Sequence, residues 1–307
     1  MSRNALAMIS ITALAASGAS ADVLLIPNTG TGFDNIWAFN TFDGSLVNNN
    51  IIPSDGNMAQ VISAVDSGNN TILMSDESND AILEYGYNGA FLGTVTNLAM
   101  SGLDDPHGMT VFNNQIYVTV RSGAFAGTVQ RYNLDGTGQT TFASDALLGT
   151  PRDIHFRSND ALVSDSGNED IHSFSLSGAI NTPIWHDSDG VNGIDFPQQI
   201  AELPNGDVLV AGFSPPNGIY QYDANGNQVN FFTLNTSPRG VAVLGNGKVL
   251  WAGGTRVGVL DLTTGISVDV VNESGASFRF IEPSAIPSPA SAALLTLGAL
   301  TASRRRR

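Results

Sequence analysis

The 307-residue chain has no cysteine, so it can form no disulfide and carries no thiol nucleophile. Charged residues make up only 13% of it, and there are four histidines, His107, His155, His172 and His186. No Gly-x-Ser-x-Gly elbow or phosphate-binding loop occurs, and Gly30-Thr31-Gly32 lacks the following helix that phosphate binding needs. The C-terminal apolar run from Ala290 to Ala302 is thirteen residues, short of the roughly 20 that span a bilayer. Basic residues are scarce as well, 13 against 28 acidic ones. Arg3 and the four terminal arginines account for five of them, which leaves the interior eight against 28, a balance of −20. That field disfavours DNA, RNA and anionic lipid and is compatible with divalent cations. With 42% hydrophobic residues and 33 glycines, the chain is long enough for one all-β domain with a large core.

Both ends carry processing patterns. Arg3 precedes an apolar stretch from Ala5 to Ala16, and Ala19-Ser20-Ala21 offers the small-residue cleavage site of a secretory signal peptide. The mature chain is expected to begin near Asp22. At the other end Pro287-Ser288-Pro289 leads into the apolar run and then into Arg304 to Arg307. This arrangement resembles the PEP-CTERM sorting signals of bacteria with exosortase systems, with Ile286-Pro287-Ser288-Pro289 in place of the usual Val-Pro-Glu-Pro. The resemblance implies export to the periplasm, cell surface or medium, an exosortase-type partner, and transient membrane association with the arginines as a cytoplasmic stop. The expected organisation is a signal peptide at 1–21, a domain at 22–285 and a sorting segment at 286–307.

Between the ends the sequence repeats. Turn-like glycines after short polar or small pairs stand at Gly44, Gly89, Gly136, Gly178, Gly226 and Gly265, 39 to 48 residues apart. Asn-Gly and Asp-Gly favour tight primed hairpin turns, because glycine adopts positive φ without steric cost. Each turn follows an alternating strand such as Ile219-Tyr220-Gln221-Tyr222, and about ten residues earlier lies a short apolar strand such as Val208 to Ala211. Earlier still comes a third strand, introduced by proline at Pro106, Pro151, Pro197 and Pro238, with Ala59-Gln60-Val61-Ile62 in the same place without proline. Four antiparallel strands per unit and six units predict a six-bladed β-propeller. The first unit lacks its innermost strand, which Ser277 to Glu282 is expected to supply from the C-terminal side.

Pro238-Arg239-Gly240-Val241 running to Val249-Leu250-Trp251-Ala252, and Ile72-Leu73-Met74-Ser75-Asp76 followed by Asn79, resemble the NHL repeat. The resemblance implies a propeller that can serve as scaffold, ligand binder or enzyme, so function has to be argued from a site. In that register Gln60, His107, Arg152, Gln198, Arg239 and Arg279 sit at the mouth of the central channel. Three arginines around one opening suit a glycan, a small anion or an envelope protein as ligand; alternatively they bridge blades and bind nothing. Related propeller enzymes hold a metal with several residues at equivalent inner positions, where this chain has one histidine, His107. Asp187, Asp189, Asn192 and Asp195 offer calcium ligands around Gly190 but miss the EF-hand pattern. The expected function is therefore a non-enzymatic surface or periplasmic binding module without a cofactor. A lactonase-like metal-dependent hydrolase or lyase and a purely structural envelope component are the alternatives.

Overall fold

The computed structural model describes residues 23–188 and 193–286. The expected signal peptide and nearly all of the expected sorting segment lie outside the described residues. Blade one holds Val23–Asn28 (β1), Asn35–Asn40 (β2) and Leu46–Ile52 (β3). Blade two holds Val61–Asp66 (β4), Thr71–Asp76 (β5), Ala81–Gly86 (β6) and Phe91–Asn97 (β7), followed by one helical turn, Leu98–Ser101 (α1). Blade three holds Pro106–Phe112 (β8), Gln115–Val120 (β9), Thr128–Asn133 (β10) and Thr140–Ser144 (β11). Blade four holds Pro151–Phe156 (β12), Asp160–Asp165 (β13), Asp170–Ser175 (β14) and Ile180–His186 (β15). Blade five holds Pro197–Glu202 (β16), Val208–Gly212 (β17), Gly218–Tyr222 (β18) and Gln228–Thr233 (β19). Blade six holds Gly240–Val243 (β20), Val249–Gly253 (β21), Arg256–Asp261 (β22) and Ile266–Asn272 (β23). Glu282–Ser284 (β24) pairs antiparallel with β1, so the C-terminal side closes blade one as expected.

The closing pairing falls later than Ser277 to Glu282. Val23 to Leu25 face Ser284 to Glu282, and a separate bridge joins Asn28 to Phe278. The Asn28 side chain anchors the lead-in by accepting the Ser277 N–H at 2.9 Å.

Burial explains the ring. Six apolar clusters each take side chains from two adjacent blades: one and two, two and three, three and four, four and five, five and six, and six and one. No blade has both faces covered until the ring is complete, which is how a propeller removes its exposed sheet faces. The last seam is sealed by Phe278, fully buried and packed edge-on to Trp37 at 5.1 Å.

All six repeat glycines have positive φ, from 69 to 89°. The residues before them do not, so the turns are not the primed type expected. In blades two to five the glycine N–H bonds the carbonyl three residues back, as in Gly89 to Gly86, which makes a type I turn ended by a left-handed glycine. The preceding polar side chain braces the turn, as where Asn88 accepts the Ala90 N–H and Asp135 accepts the Thr137 N–H. A second constraint is close approach: a Cβ at Gly136, Gly178 or Gly226 would collide with the carbonyl of Val95, Phe142 or Trp185 on the outer strand of the preceding blade.

Candidate functional site: the channel mouth

The inner strands of blades two to five open with a register shift, between Val61 and Ser63, Pro106 and Met109, Pro151 and Asp153, and Pro197 and Ile200. A bulge re-aims the side chains it contains. His107, Arg152 and Gln198 sit in these bulges, and Arg239 and Arg279 take the same place in blades six and one, where their N–H groups bond Ala252 and Pro27. In blade two the strand pairing puts Ile62 at this position, with Gln60 two residues ahead of it in the lead-in.

Two further positions repeat around the mouth. The lead-in carries Gln60, Asp105, Thr150, Phe196 and Ser277, and each of these carbonyls accepts the N–H of the residue just past the second strand, Glu77, Arg121, Ser166, Phe213 and Thr29 respectively. The strand-end residues hold the lead-in from below. Asp76 accepts the N–H groups of Ala59 and Gln60, and Asp165 accepts those of Gly149 and Thr150. At Gly253 a side chain would strike the Ser237 carbonyl, so blade six has glycine where blades two and four have aspartate.

These rows bring a charge cluster together. Arg121 bonds Glu77 at 2.7 Å and lies 3.3 Å from Asp105, and Gln60 donates to Glu77 at 2.7 Å. Arg152 donates to Ser166 at 2.6 Å and stacks on Phe196 at 4.5 Å. Arg239 stacks on Phe213 at 4.2 Å, and the two phenylalanine rings lie 5.5 Å apart. Arg279 donates to Thr29 at 2.8 Å. Among the described residues no carboxylate forms an ion pair with Arg152, Arg239 or Arg279. Burial and then mutual repulsion lower their pKa values, for Arg152 to about 10, with Arg121 the chief neighbour, and for Arg239 to about 10, with Arg279. Arg279 is lowered in the same direction by burial and Arg121. Burial would raise Glu77, but the Arg121 guanidinium outweighs it and holds the carboxyl below its usual range. Asp105 goes the other way, raised by burial despite Arg121.

His107 has both ring nitrogens engaged. Arg152 donates from Nη1 to Nε2 at 3.2 Å, so the other nitrogen, Nδ1, donates to the Arg152 carbonyl at 2.9 Å. Burial, reinforced by Arg152, holds its pKa well below the usual histidine value, so it stays neutral and orients Arg152. Gln198 is fully buried, and neither side-chain polar atom has a partner among the described residues.

One step down the inner strands the axis is filled. Gln199 on blade five accepts the N–H groups of Val241 on blade six at 3.0 Å and Ile281 beside blade one at 2.8 Å, and donates to Glu282 at 3.0 Å. Asp153 accepts the Ile200 N–H at 2.9 Å, and Ser63 on blade two lies 3.4 Å from Glu282. Phe280 is fully buried and packs edge-on to His107 at 5.3 Å. Beneath the mouth arginines lie these polar groups and the Phe280 ring.

The remaining histidines are dispersed. His155 lies near Glu202, His172 near Asp165, and His186 bonds the Gly226 carbonyl. Among the described residues no three His, Asp or Glu side chains group as metal ligands. Asp189 and Asn192 of the calcium candidate lie outside the described residues, whereas Asp187 and Asp195 lie within them. Glu77, Arg121 and Asp105 escaped the sequence reading, although each occupies a repeated place, just past the second strand of a blade or just before its innermost strand.

No protein-family model matches the chain, and no curated protein matches it. Solved structures do. A chain of a nidogen/laminin complex has a TM-score of 0.67 at 14% identity, over 85% of this chain and 98% of that one. Selenomethionine-substituted virginiamycin B lyase from Staphylococcus aureus has a TM-score of 0.54 at 13% identity, over 68% of this chain and 69% of that one. A catalytically inactive form of that lyase with quinupristin has a TM-score of 0.56 at 16% identity, over 81% and 84%. At such identities the common property is the fold, and the chain is a six-bladed β-propeller.

Proposed function

We propose that the protein is a non-enzymatic, exported propeller that binds a ligand, a glycan, a small anion or a protein, at the arginine-lined mouth. The observation that carries this reading is the set of three guanidiniums, Arg152, Arg239 and Arg279, with no ion-paired carboxylate among the described residues, on a chain whose net charge is −15. Stacking on Phe196 and Phe213 fixes Arg152 and Arg239 with donors left over, and preorganised guanidiniums bind oxyanions well. Export rests on the signal-peptide and sorting patterns at the two ends. A neighbour in a protein–protein complex agrees with a binding role.

A thermal-shift and glycan-array screen of the full chain tests the reading. It predicts a hit that Arg239→Gln weakens; no hit at all favours the purely structural role. The lyase neighbours motivate the enzymatic alternative, which predicts stoichiometric metal after purification and loss of activity in His107→Ala.

A further inference from the structure

The charges at the mouth do not cancel. Four arginines, Arg121, Arg152, Arg239 and Arg279, stand there with two carboxylates, Glu77 and Asp105. Both carboxylates lean on one arginine, Arg121. His107 adds no charge, since it accepts from Arg152. Among these six groups two positive charges are left over, above a floor closed by Gln199 and Phe280. Glu77 is held among the arginines by Arg121 and Gln60, as a built-in anion would be, and its field reaches Arg152, Arg239 and Arg279.

We infer that the mouth takes a small oxyanion of two negative charges, a phosphate monoester or a dicarboxylate, held by Arg152, Arg239 and Arg279, with Glu77 as the internal counterion that limits its affinity. This rests on the proposed binding role of the mouth and narrows its ligand class. Two charges match the local excess, and a second anionic group reaches a second guanidinium; a monoanion satisfies only half the cluster. Glu77 repels the incoming anion, so neutralising it strengthens binding where loss of an arginine weakens it.

Calorimetric titration of the full chain at low salt with inorganic phosphate, glycerol phosphate, succinate and acetate provides the test. The expected result is binding of phosphate, glycerol phosphate or succinate at about 1 mM or tighter, with acetate at least tenfold weaker. Arg239→Gln is expected to weaken binding about tenfold or more, and Glu77→Gln to strengthen it about threefold or more. The phosphate and succinate arms separate the two oxyanion sources. Thermal melts check that each variant folds, and Arg279→Gln replaces Arg239→Gln if that chain does not. Acetate binding as tightly as the dianions, dianion binding untouched by the arginine variant, or weaker binding in Glu77→Gln each overturns the inference. A neutral glycan that binds the mouth while all four anions fail overturns the dianion but leaves the binding role standing; silence from every ligand removes both.

Discussion

Asp153 and Glu282 are buried on opposite blades of the ring, four and one, beneath the mouth. Burial pushes Asp153 up to about 7, and burial together with the charge of Asp153 pushes Glu282 well above the usual carboxyl range. The folded state therefore holds these protons more tightly than the unfolded chain, whose carboxyls titrate near 4. The contribution of Asp153 to stability is complete below about pH 4 and is lost as pH rises through about 7, and that of Glu282 falls as pH rises towards its own raised value. Glu282→Gln keeps an acceptor for Gln199 without the charge, and is expected to melt higher than the wild type at pH 8 and to lose less stability between pH 5 and 8. Parallel melting curves of the two proteins across that range check this; identical slopes contradict it. At the same scale Arg152 and Arg239 were legible because they follow repeated prolines, and Arg279 because it lies in the stretch expected to close blade one. Their partners were not, because a repeat spaced by glycines and prolines draws the eye away from the single residue after each apolar strand, where Thr29, Glu77, Arg121, Ser166 and Phe213 stand.

The strands themselves were the easiest elements to read, since short apolar runs and alternating runs recur at fixed offsets from a glycine. Val208–Gly212 and Gly218–Tyr222 lie where the pattern places them. Turn type was harder to read, because Asn-Gly occurs both in primed turns and where the glycine follows a type I turn. Bulges were not legible at all, because they insert a residue without changing composition; the alignment of Gln60 with Arg152 slipped by two positions in blade two because Val61 stands there where blade four has Pro151. The structure separates two kinds of positive-φ glycine. Gly178 has φ 89° and its Cβ direction is blocked by the Phe142 carbonyl, while Gly206 has φ 88° and open space. Gly206→Ala is expected to cost about 1 kcal/mol from backbone strain alone, and Gly178→Ala at least about 2 kcal/mol because the seam between blades three and four must also shift. Urea unfolding of both variants measures the difference, and equal costs would remove close approach as the reason for the repeat glycine.

At the scale of the whole molecule, stability depends on the ring being closed. Only blade one is built from both ends of the domain, and the seam between blades six and one gathers Phe278, Ile281, Trp37 and Leu250. Phe278→Ala is expected to destabilise by about 3 to 5 kcal/mol, in line with other buried phenylalanines, and to expose β1 to proteolysis first. Limited proteolysis that begins in another blade contradicts that order. The closed ring also builds the proposed binding site, because it brings Arg152, Arg239 and Arg279 from blades four, six and one to a single opening. The most direct test of that convergence is a crystal structure of the full chain grown with millimolar phosphate or succinate. The account predicts anion density at the mouth within hydrogen-bonding distance of at least two of the three guanidiniums. A mouth with no anion, its arginines turned onto carboxylates of the protein, contradicts it.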